Sequence, residues 1–191
     1  MHPPAPILQH LRHGTQAQHE AVETNRFNQR LAAGTATAAD AAWFLGKLYG
    51  FVAPLEAQLT RLASQLDPAW ELPARRRAHL ILPDLQDLLG ADAPPPPLAS
   101  TLPPLTTPAE ALGVLYVLEG STLGGQVIAR QLAKAGIEGG QRYFTAYGPL
   151  TGPRWQATCR LLAAAATPAN EDAIVASATR TFADLGRWLA S

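Results

Sequence analysis

Apolar residues recur at helical spacing along almost the whole chain, and no convincing run alternates apolar and polar residues as a half-buried strand does. The clearest series lines one side of a long segment: Trp43, Phe44, Leu48, Phe51, Leu55, Leu59 and Leu62. With 191 residues, the chain is long enough to bury one core and too short for two comfortable ones. The pattern therefore predicts an all-α, single-domain helical bundle.

Capping residues and proline place the boundaries of the early helices. The first helix is predicted from about Ile7 into residues 28–31. The second begins near Thr37, because Thr37 followed by Asp40 resembles a capping box. Pro54 lies inside the apolar pattern of this helix and predicts a kink or break just before it, since proline removes a helical hydrogen bond.

Glycine and proline separate the later helices, which are predicted at residues 73–89, 108–135, 153–166 and 168–190. Residues 91–108 hold the run Pro94-Pro95-Pro96-Pro97 and then Pro103-Pro104, a density that no helix tolerates. This extended segment is compatible with an interdomain linker. Because the flanking helices lack partners of their own, we interpret 91–108 as an internal loop of one domain spanning residues 1–191.

Composition argues against several classes of function. Fifteen basic and fifteen acidic residues give zero formal net charge, so nothing predicts attraction to nucleic acid or to an anionic membrane. The longest strongly apolar run, residues 111–118, is far below the ~20 residues of a membrane span. The lone Cys159 cannot close an internal disulfide, and no secretion signal is visible. We expect a cytoplasmic protein.

The first predicted helix carries the pattern Leu11-Arg12-x-x-Thr15-x-x-x-His19-x-x-x-Glu23. Because a helix turns once per 3.6 residues, Thr15, His19 and Glu23 share one face. A carboxylate one turn from an imidazole accepts one ring N–H and favours the other nitrogen as a metal ligand. Arg12, about 10 Å from His19 at the helical rise, is placed to meet an acidic group of a cofactor. The alternative is a solvated helix with a chance histidine.

A second segment places three glycines inside a predicted helix: Tyr116-Val117-Leu118-Glu119-Gly120-Ser121-Thr122-Leu123-Gly124-Gly125-Gln126-Val127. Three glycines in six residues cost on the order of 3 kcal/mol of helix stability relative to alanine. Gly120 and Gly124 share a face, where bare backbone lets a flat molecule approach closely. Alternatively, the glycines end a helix, form a turn or permit a helix crossing. The apolar spacing continues beyond them, which favours the bare face.

Together the two segments resemble the heme oxygenases, whose early helix reads L-[KR]-x-x-T-x-x-x-H-x-x-x-E and whose kinked later helix ends a glycine-rich stretch with G-G-Q-V. Residues 11–23 complete the first motif, and Gly124-Gly125-Gln126-Val127 match the second. Tyr143-Phe144-x-x-Tyr147-Gly148 followed by Trp155 is similar to the family's aromatic segment. Residues 119–124 look most like the bacterial, biliverdin-producing branch, including members associated with bacterial phytochromes.

The resemblance implies a heme oxygenase-like bundle in which heme lies between a proximal helix and a kinked distal helix. By this resemblance, His19 is the axial ligand of the iron and Glu23 is its polar partner. Arg12 matches the basic residue that meets a heme propionate. Arg160 falls roughly where the family places another propionate contact, a role for which Arg154 competes.

On the distal side, Gly120 and Gly124 match the glycines that lie over the porphyrin, and Ser121 completes the implied catalytic set. Tyr116 and Gly125 are further implied heme contacts.

One departure from the family concerns the residue after the first distal glycine. Many members carry an aspartate there, whereas ungapped alignment places Ser121 at this position. A hydroxyl holds water but supplies no carboxylate charge, so proton delivery must differ. Glu119 points about 100° away on a regular helix and is a poor substitute. Among the other histidines, His13 is the alternative iron ligand, and His79, following Arg75-Arg76-Arg77, is predicted on a solvated face.

The implied reaction is the cleavage of heme b to biliverdin, carbon monoxide and ferrous iron, with heme as cofactor and substrate together. It requires O2 and an external reductant, and its purpose is bilin supply or iron release. The implied partners are an electron-donating reductase or ferredoxin and a downstream bacteriophytochrome that accepts the bilin. Two alternatives stay open: a heme carrier or sensor that does not degrade heme, and a cofactor-free helical relative.

Overall fold

The computed structural model describes residues 5–191, so the first four residues of the predicted domain lie outside the described part. Within it the chain is helical, without a β-strand, which confirms the predicted all-α class. The α-helices are α1 (Pro6–Glu23), α2 (Arg26–Ala32), α3 (Ala38–Arg61), α4 (Leu72–Arg75), α5 (Ile81–Leu89), α6 (Pro108–Lys134), α7 (Thr151–Ala165) and α8 (Glu171–Ala190).

The two long helices α3 and α6 begin at capping boxes. The Thr37 hydroxyl accepts from the backbone N–H of Asp40, and the Asp40 carboxylate accepts from the Thr37 N–H, as predicted. Thr107 and Glu110 make the same pair of bonds at the start of α6. A break at Pro54 is wrong, since α3 continues through the proline to Arg61, with Val52 and Leu55 buried on either side of it. The kink that was predicted as the other outcome stays a prediction.

The first predicted helix is two helices. α1 ends at Glu23, and Asn25 starts α2 because its side-chain oxygen accepts from the N–H groups of Phe27 and Asn28, at 2.9 and 3.1 Å. Asparagine at this position competes with continuation of the helix by bonding to nearby backbone. The prediction of one helix into residues 28–31 is therefore wrong at this point.

The predicted helix over 73–89 is also interrupted, and a buried carboxylate explains why. Glu56 on α3 accepts from the backbone N–H groups of Arg77 and Ala78, at 2.7 and 3.1 Å. These bonds replace helical ones, so the chain leaves α4 after Arg75 and resumes as a short 3₁₀ turn before α5. Gly90 ends α5 as predicted.

Helix α6 runs through the centre of the bundle, packed along α8 and against α7, while α1 also packs along α8. A Cβ on Gly113 would lie 2.5 Å from the carbonyl oxygen of Ile174, so this glycine permits the close crossing of α6 and α8. By length and apolar composition α6 resembles a membrane span, but 56% of its most apolar 18-residue stretch is buried inside the protein. The burial is that of a core helix.

The proline-rich segment between α5 and α6 contains no helix, as predicted, and packs on α3. The Ala99 N–H donates to the carbonyl of Gly50 at 2.9 Å, and the Leu105 N–H donates to the Gln58 side chain at 2.5 Å. These contacts tie the segment to the same core as its neighbouring helices.

Candidate functional site

A cavity of about 460 Å³ separates α1 from the middle of α6. This volume falls within the ~300–1,000 Å³ typical of small-molecule and cofactor sites. Its lining is mainly apolar and draws on α1, the start of α2, α3, the segment between α4 and α5, α6, the segment after α6, α7 and α8. The predicted site residues on this lining are His19, Glu23, Tyr116, Gly120, Ser121, Gly124 and Gly125.

The α1 wall presents polar side chains toward the cavity. The His19 side chain is 52% exposed, and its Nδ1 lies 3.7 Å from the Glu23 carboxylate one turn later. This is an ion-pair distance and not a hydrogen bond. The edge of the imidazole also packs on Phe182, with ring centroids 5.2 Å apart. With Glu23 beside Nδ1, Nε2 is the nitrogen on which a ligand bond is most easily made.

The α6 wall is a continuous helix through all three glycines, so neither a helix end nor a turn occurs there. A Cβ on Gly124 would meet no atom within 4 Å, whereas one on Gly120 would touch the Trp155 ring at 3.5 Å. A Cβ on Gly125 would lie 3.1 Å from the Phe144 carbonyl, so that glycine serves packing. Gly124 is thus the bare position that faces open cavity.

Tyr116, on α6, contacts α7 and lies near α1. Its ring lies tilted on Trp155, with centroids 5.7 Å apart. Partial burial raises the pKa of the Tyr116 phenol, and the Thr15 hydroxyl and the Arg12 charge partly offset the rise. The phenol is therefore neutral near pH 7, and Arg12 lies close enough to Tyr116 to be felt electrostatically.

The arginines that the sequence comparison suggests as propionate contacts lie outside the cavity lining. Arg12 and Arg160 are exposed, and the guanidinium of Arg154 stacks over the Tyr147 ring, 4.8 Å from its centroid. His13 is exposed and does not line the cavity either. The propionate contacts of Arg12 and Arg160 accordingly remain predictions, because neither side chain lines the cavity.

The sequence prediction missed a buried ionic cluster behind α6. His79 is exposed as predicted, but Arg75 and Arg77 in the segment before it are buried. An Arg75 N–H donates to the Glu119 carboxylate at 2.5 Å, and the Tyr147 hydroxyl donates to it at 2.9 Å. The signal was Glu119 itself, because a carboxylate within an apolar helical run requires a buried cation or hydrogen-bond donors.

Comparison with known proteins assigns the chain to a family. The sequence model described as heme oxygenase matches residues 5–191. The chain belongs to the heme oxygenase family.

Individual relatives agree with this family assignment. A heme oxygenase of Xanthomonas campestris pv. campestris is 37% identical over 107 residues, which cover 56% of this chain and 61% of that protein, less than two thirds of its length. The heme oxygenase structure from Leptospira interrogans aligns with a TM-score of 0.78 at 20% identity, covering 96% of this chain and 98% of that one. Heme oxygenase-1 of the cyanobacterium Synechocystis sp. PCC6803, solved in complex with heme, aligns with a TM-score of 0.79 at 17% identity, covering 96% and 90%. At these identities the structures establish the shared fold.

Within this heme oxygenase fold, Ser121 occupies the place where the motif comparison expects an aspartate in many members. Its hydroxyl donates to the Leu118 carbonyl at 2.7 Å, so only its oxygen lone pairs are left for water. Glu119 points away from the cavity lining into the ionic cluster, as the helical geometry predicts. The α6 wall therefore offers no carboxylate to the cavity.

Proposed function

We propose that this chain is a heme oxygenase in activity as well as in family. It binds heme b between α1 and α6 and cleaves it, with O2 and an external reductant, to biliverdin, carbon monoxide and ferrous iron. One observation carries the proposal: His19 and the bare backbone of Gly124 line the same cavity from different helices. A flat ring bound by its central metal requires a ligand on one face and little bulk on the other.

The residues around the cavity fit heme better than a bare metal ion. In the described part of the chain, no three His, Cys, Asp or Glu side chains gather to hold a metal. An iron at His19 needs its other ligands from a bound molecule, and the porphyrin nitrogens supply them. The largely apolar lining suits the porphyrin faces, and the exposed Arg12 lies close enough to the lining residue Tyr116 to affect it electrostatically.

Each wall has a distinct task in this reaction. Bound heme supplies the redox chemistry with oxygen, and the protein supplies position, steric control and proton placement. His19 binds the iron as a neutral imidazole, and Glu23 orients the ring from the Nδ1 side. Gly120 and Gly124 keep bulk away from the opposite face. Ser121 accepts a hydrogen bond from water at the same face.

The wider setting follows from the same proposal. We propose a cytoplasmic enzyme that receives electrons from a reductase or ferredoxin. Its motif likeness to the phytochrome-associated bacterial branch supports bilin supply to a bacteriophytochrome, and iron release is the alternative purpose.

A heme carrier or sensor is the second candidate. The observation that favours it is the missing carboxylate on the α6 wall, where the Ser121 hydrogen is already bound to Leu118. A carrier needs the His19 ligand and the apolar cavity but no proton delivery.

One titration separates these functions. We expect hemin to give a one-to-one complex with a Soret band, and ascorbate or ferredoxin with its reductase to convert that band into a bilin spectrum with release of carbon monoxide. Catalase is included so that free peroxide cannot degrade the heme. A Soret band that survives reduction in air identifies a carrier, and no band identifies a cofactor-free relative.

A further inference from the structure

Arg77 carries a hydrogen-bond donor that the protein itself does not use. Its side chain is 4% exposed, and the residue lines the cavity. Within residues 5–191, its Nε is the single fully buried side-chain nitrogen or oxygen without a hydrogen-bond partner. Buried polar groups are nearly always paired, so an unpaired charged donor beside a cavity calls for a partner that enters the cavity.

The rest of Arg77 is held in place. Nη2 donates to the Leu118 carbonyl at 2.6 Å and lies 3.8 Å from the Glu119 carboxylate. The backbone N–H donates to Glu56 at 2.7 Å. Arg77 is thus anchored at its backbone and at Nη2 before any ligand binds, which is the property of a preorganised donor.

Arg77 belongs to a polar corner of the cavity, formed by Arg77, Ser121 and Tyr143. The Leu118 carbonyl accepts from both Arg77 and Ser121, at 2.6 and 2.7 Å, so their polar groups lie close together. The Arg77 guanidinium lies 5.5 Å from the centroid of the Tyr143 ring. Burial raises the pKa of the Tyr143 phenol, and the Arg77 charge partly offsets this rise. The polar corner therefore contains a cation, a hydroxyl and a neutral phenol, but no carboxylate.

Arg75 shows that membership of the ionic cluster does not leave a donor unused. Its Nε donates to the Trp70 carbonyl at 2.5 Å, and its Nη1 donates to Glu119 and to Thr158, at 2.5 and 2.9 Å. Arg75 is as deeply buried as Arg77 and pairs with the same carboxylate, but it does not line the cavity. Of these two buried arginines, only Arg77, which lines the cavity, has an unpaired donor.

We propose that Arg77 is a positioning residue of the site: its guanidinium, whose Nε–H the protein leaves unpaired, donates to the water or small anion held between the bound heme and α6. This role rests on the proposed function. Arginine does not give up its proton near neutral pH, so Arg77 orients water and is not the proton source. In this chain a fixed cation then performs the water-holding task for which Ser121 offers only a hydroxyl.

Fluoride binding to the ferric heme complex tests this role without measuring turnover, because fluoride is a small anion that depends on hydrogen-bond donors. We expect Arg77→Met to weaken fluoride binding roughly tenfold, the loss expected for one charge-assisted hydrogen bond. The pH midpoint of the Soret shift of the ferric complex should rise by about one unit. This shift reports the deprotonation of the water bound to the heme, and the lost cation favoured the deprotonated form of that water. Arg77→Lys should recover part of both changes.

Arg75→Met is the matched control, because it damages the same ionic cluster away from the cavity. It should lower the melting temperature while leaving the fluoride affinity and the pH midpoint as in the wild type. If Arg77→Met does not fold, the pair Arg77→Lys and Arg75→Lys carries the comparison, with the larger fluoride loss expected at Arg77.

The outcomes distinguish the two proposals. Wild-type fluoride affinity in the Arg77 variants, or an equal loss at Arg75, contradicts the role of Arg77 while the proposed function stands. A wild-type chain that forms no heme complex contradicts the proposed function and this inference with it.

Discussion

The two main walls of the cavity are built in opposite ways. On α1, His19 and Glu23 reach out with half-exposed side chains that add an imidazole and a carboxylate. On α6, Gly124 contributes nothing beyond backbone, and a Cβ there would enter open space. One wall thus acts through the groups that it presents, and the other acts through the bulk that it omits. Truncating side chains should damage the α1 wall, whereas enlarging them should damage the α6 wall.

The largest effect is expected from truncation on α1. His19→Ala should abolish heme degradation, because the iron loses its protein ligand, while the free energy of unfolding changes by no more than about 0.5 kcal/mol at this exposed position. Bilin formation and urea unfolding measure the two quantities. His13→Ala, on the same helix but off the cavity, is the control and should retain activity. A wild-type rate in His19→Ala would remove His19 from the site.

Enlargement on α6 should have the next largest effect. A leucine at Gly124 fills the space that we assign to the porphyrin, so Gly124→Leu should weaken hemin binding about a hundredfold, by analogy with the cost of overpacking. The apo-protein should be as stable as the wild type or up to about 1 kcal/mol more stable, because leucine favours helix.

Gly152→Leu provides the control for this enlargement. Gly152 is a helical glycine with no atom within 4 Å of its Cβ position, and it does not line the cavity. Its variant should bind hemin normally. A Gly124→Leu protein that melts early yet binds hemin as tightly as the wild type contradicts the assignment of the α6 wall.

Gly113 differs from Gly124 on the same helix, since it serves helix packing and does not line the cavity. In Gly113→Ala the new Cβ meets backbone of α8 at 2.5 and 2.7 Å, so the helices must separate. We expect a loss of about 2 kcal/mol in unfolding free energy and a melting temperature lower by roughly 4–8 °C. Hemin affinity of the folded protein should be unchanged.

Gly46→Ala is the companion variant for the thermal melts, because its nearest atom lies at an ordinary 3.7 Å. It should not destabilise the protein. Equal melting temperatures for the two variants would contradict the role of Gly113 in the close crossing of α6 and α8.

The smallest effect is expected at the edge of the α1 wall. Arg12→Glu should weaken hemin binding about tenfold through the lost charge-assisted contact with a propionate. Because propionates orient the ring, the bilin isomer mixture should shift as well. Arg61→Glu makes the same charge change at another exposed arginine and should leave both quantities unaltered. An unchanged affinity and product in Arg12→Glu would exclude the propionate contact.

The sequence predicted best what depends on near neighbours. The start of α3 follows from Thr37 with Asp40, and the start of α6 follows from Thr107 with Pro108. The structure has a capping box at both starts, of which the one that pairs Thr107 with Glu110 was not predicted. The helical face that carries His19 and Glu23 follows from the 3.6-residue period alone. These features require no knowledge of distant contacts.

Features set by distant partners were missed. Arg77 is buried because Glu56 holds its backbone and Glu119 faces its guanidinium, and both lie far away in the sequence. The same Glu56 contacts interrupt the predicted helix over 73–89. Helical spacing likewise placed Arg12 on the same helix as His19, but it could not show that Arg12 lies outside the cavity lining.

A crystal structure of the protein with bound hemin would show whether heme occupies the cavity between α1 and α6. We expect the iron to be bound to the His19 Nε2 and the porphyrin face opposite His19 to lie against the α6 backbone at Gly124. Iron bound to His13 or to no protein side chain, or a porphyrin outside the cavity between α1 and α6, would contradict this expectation.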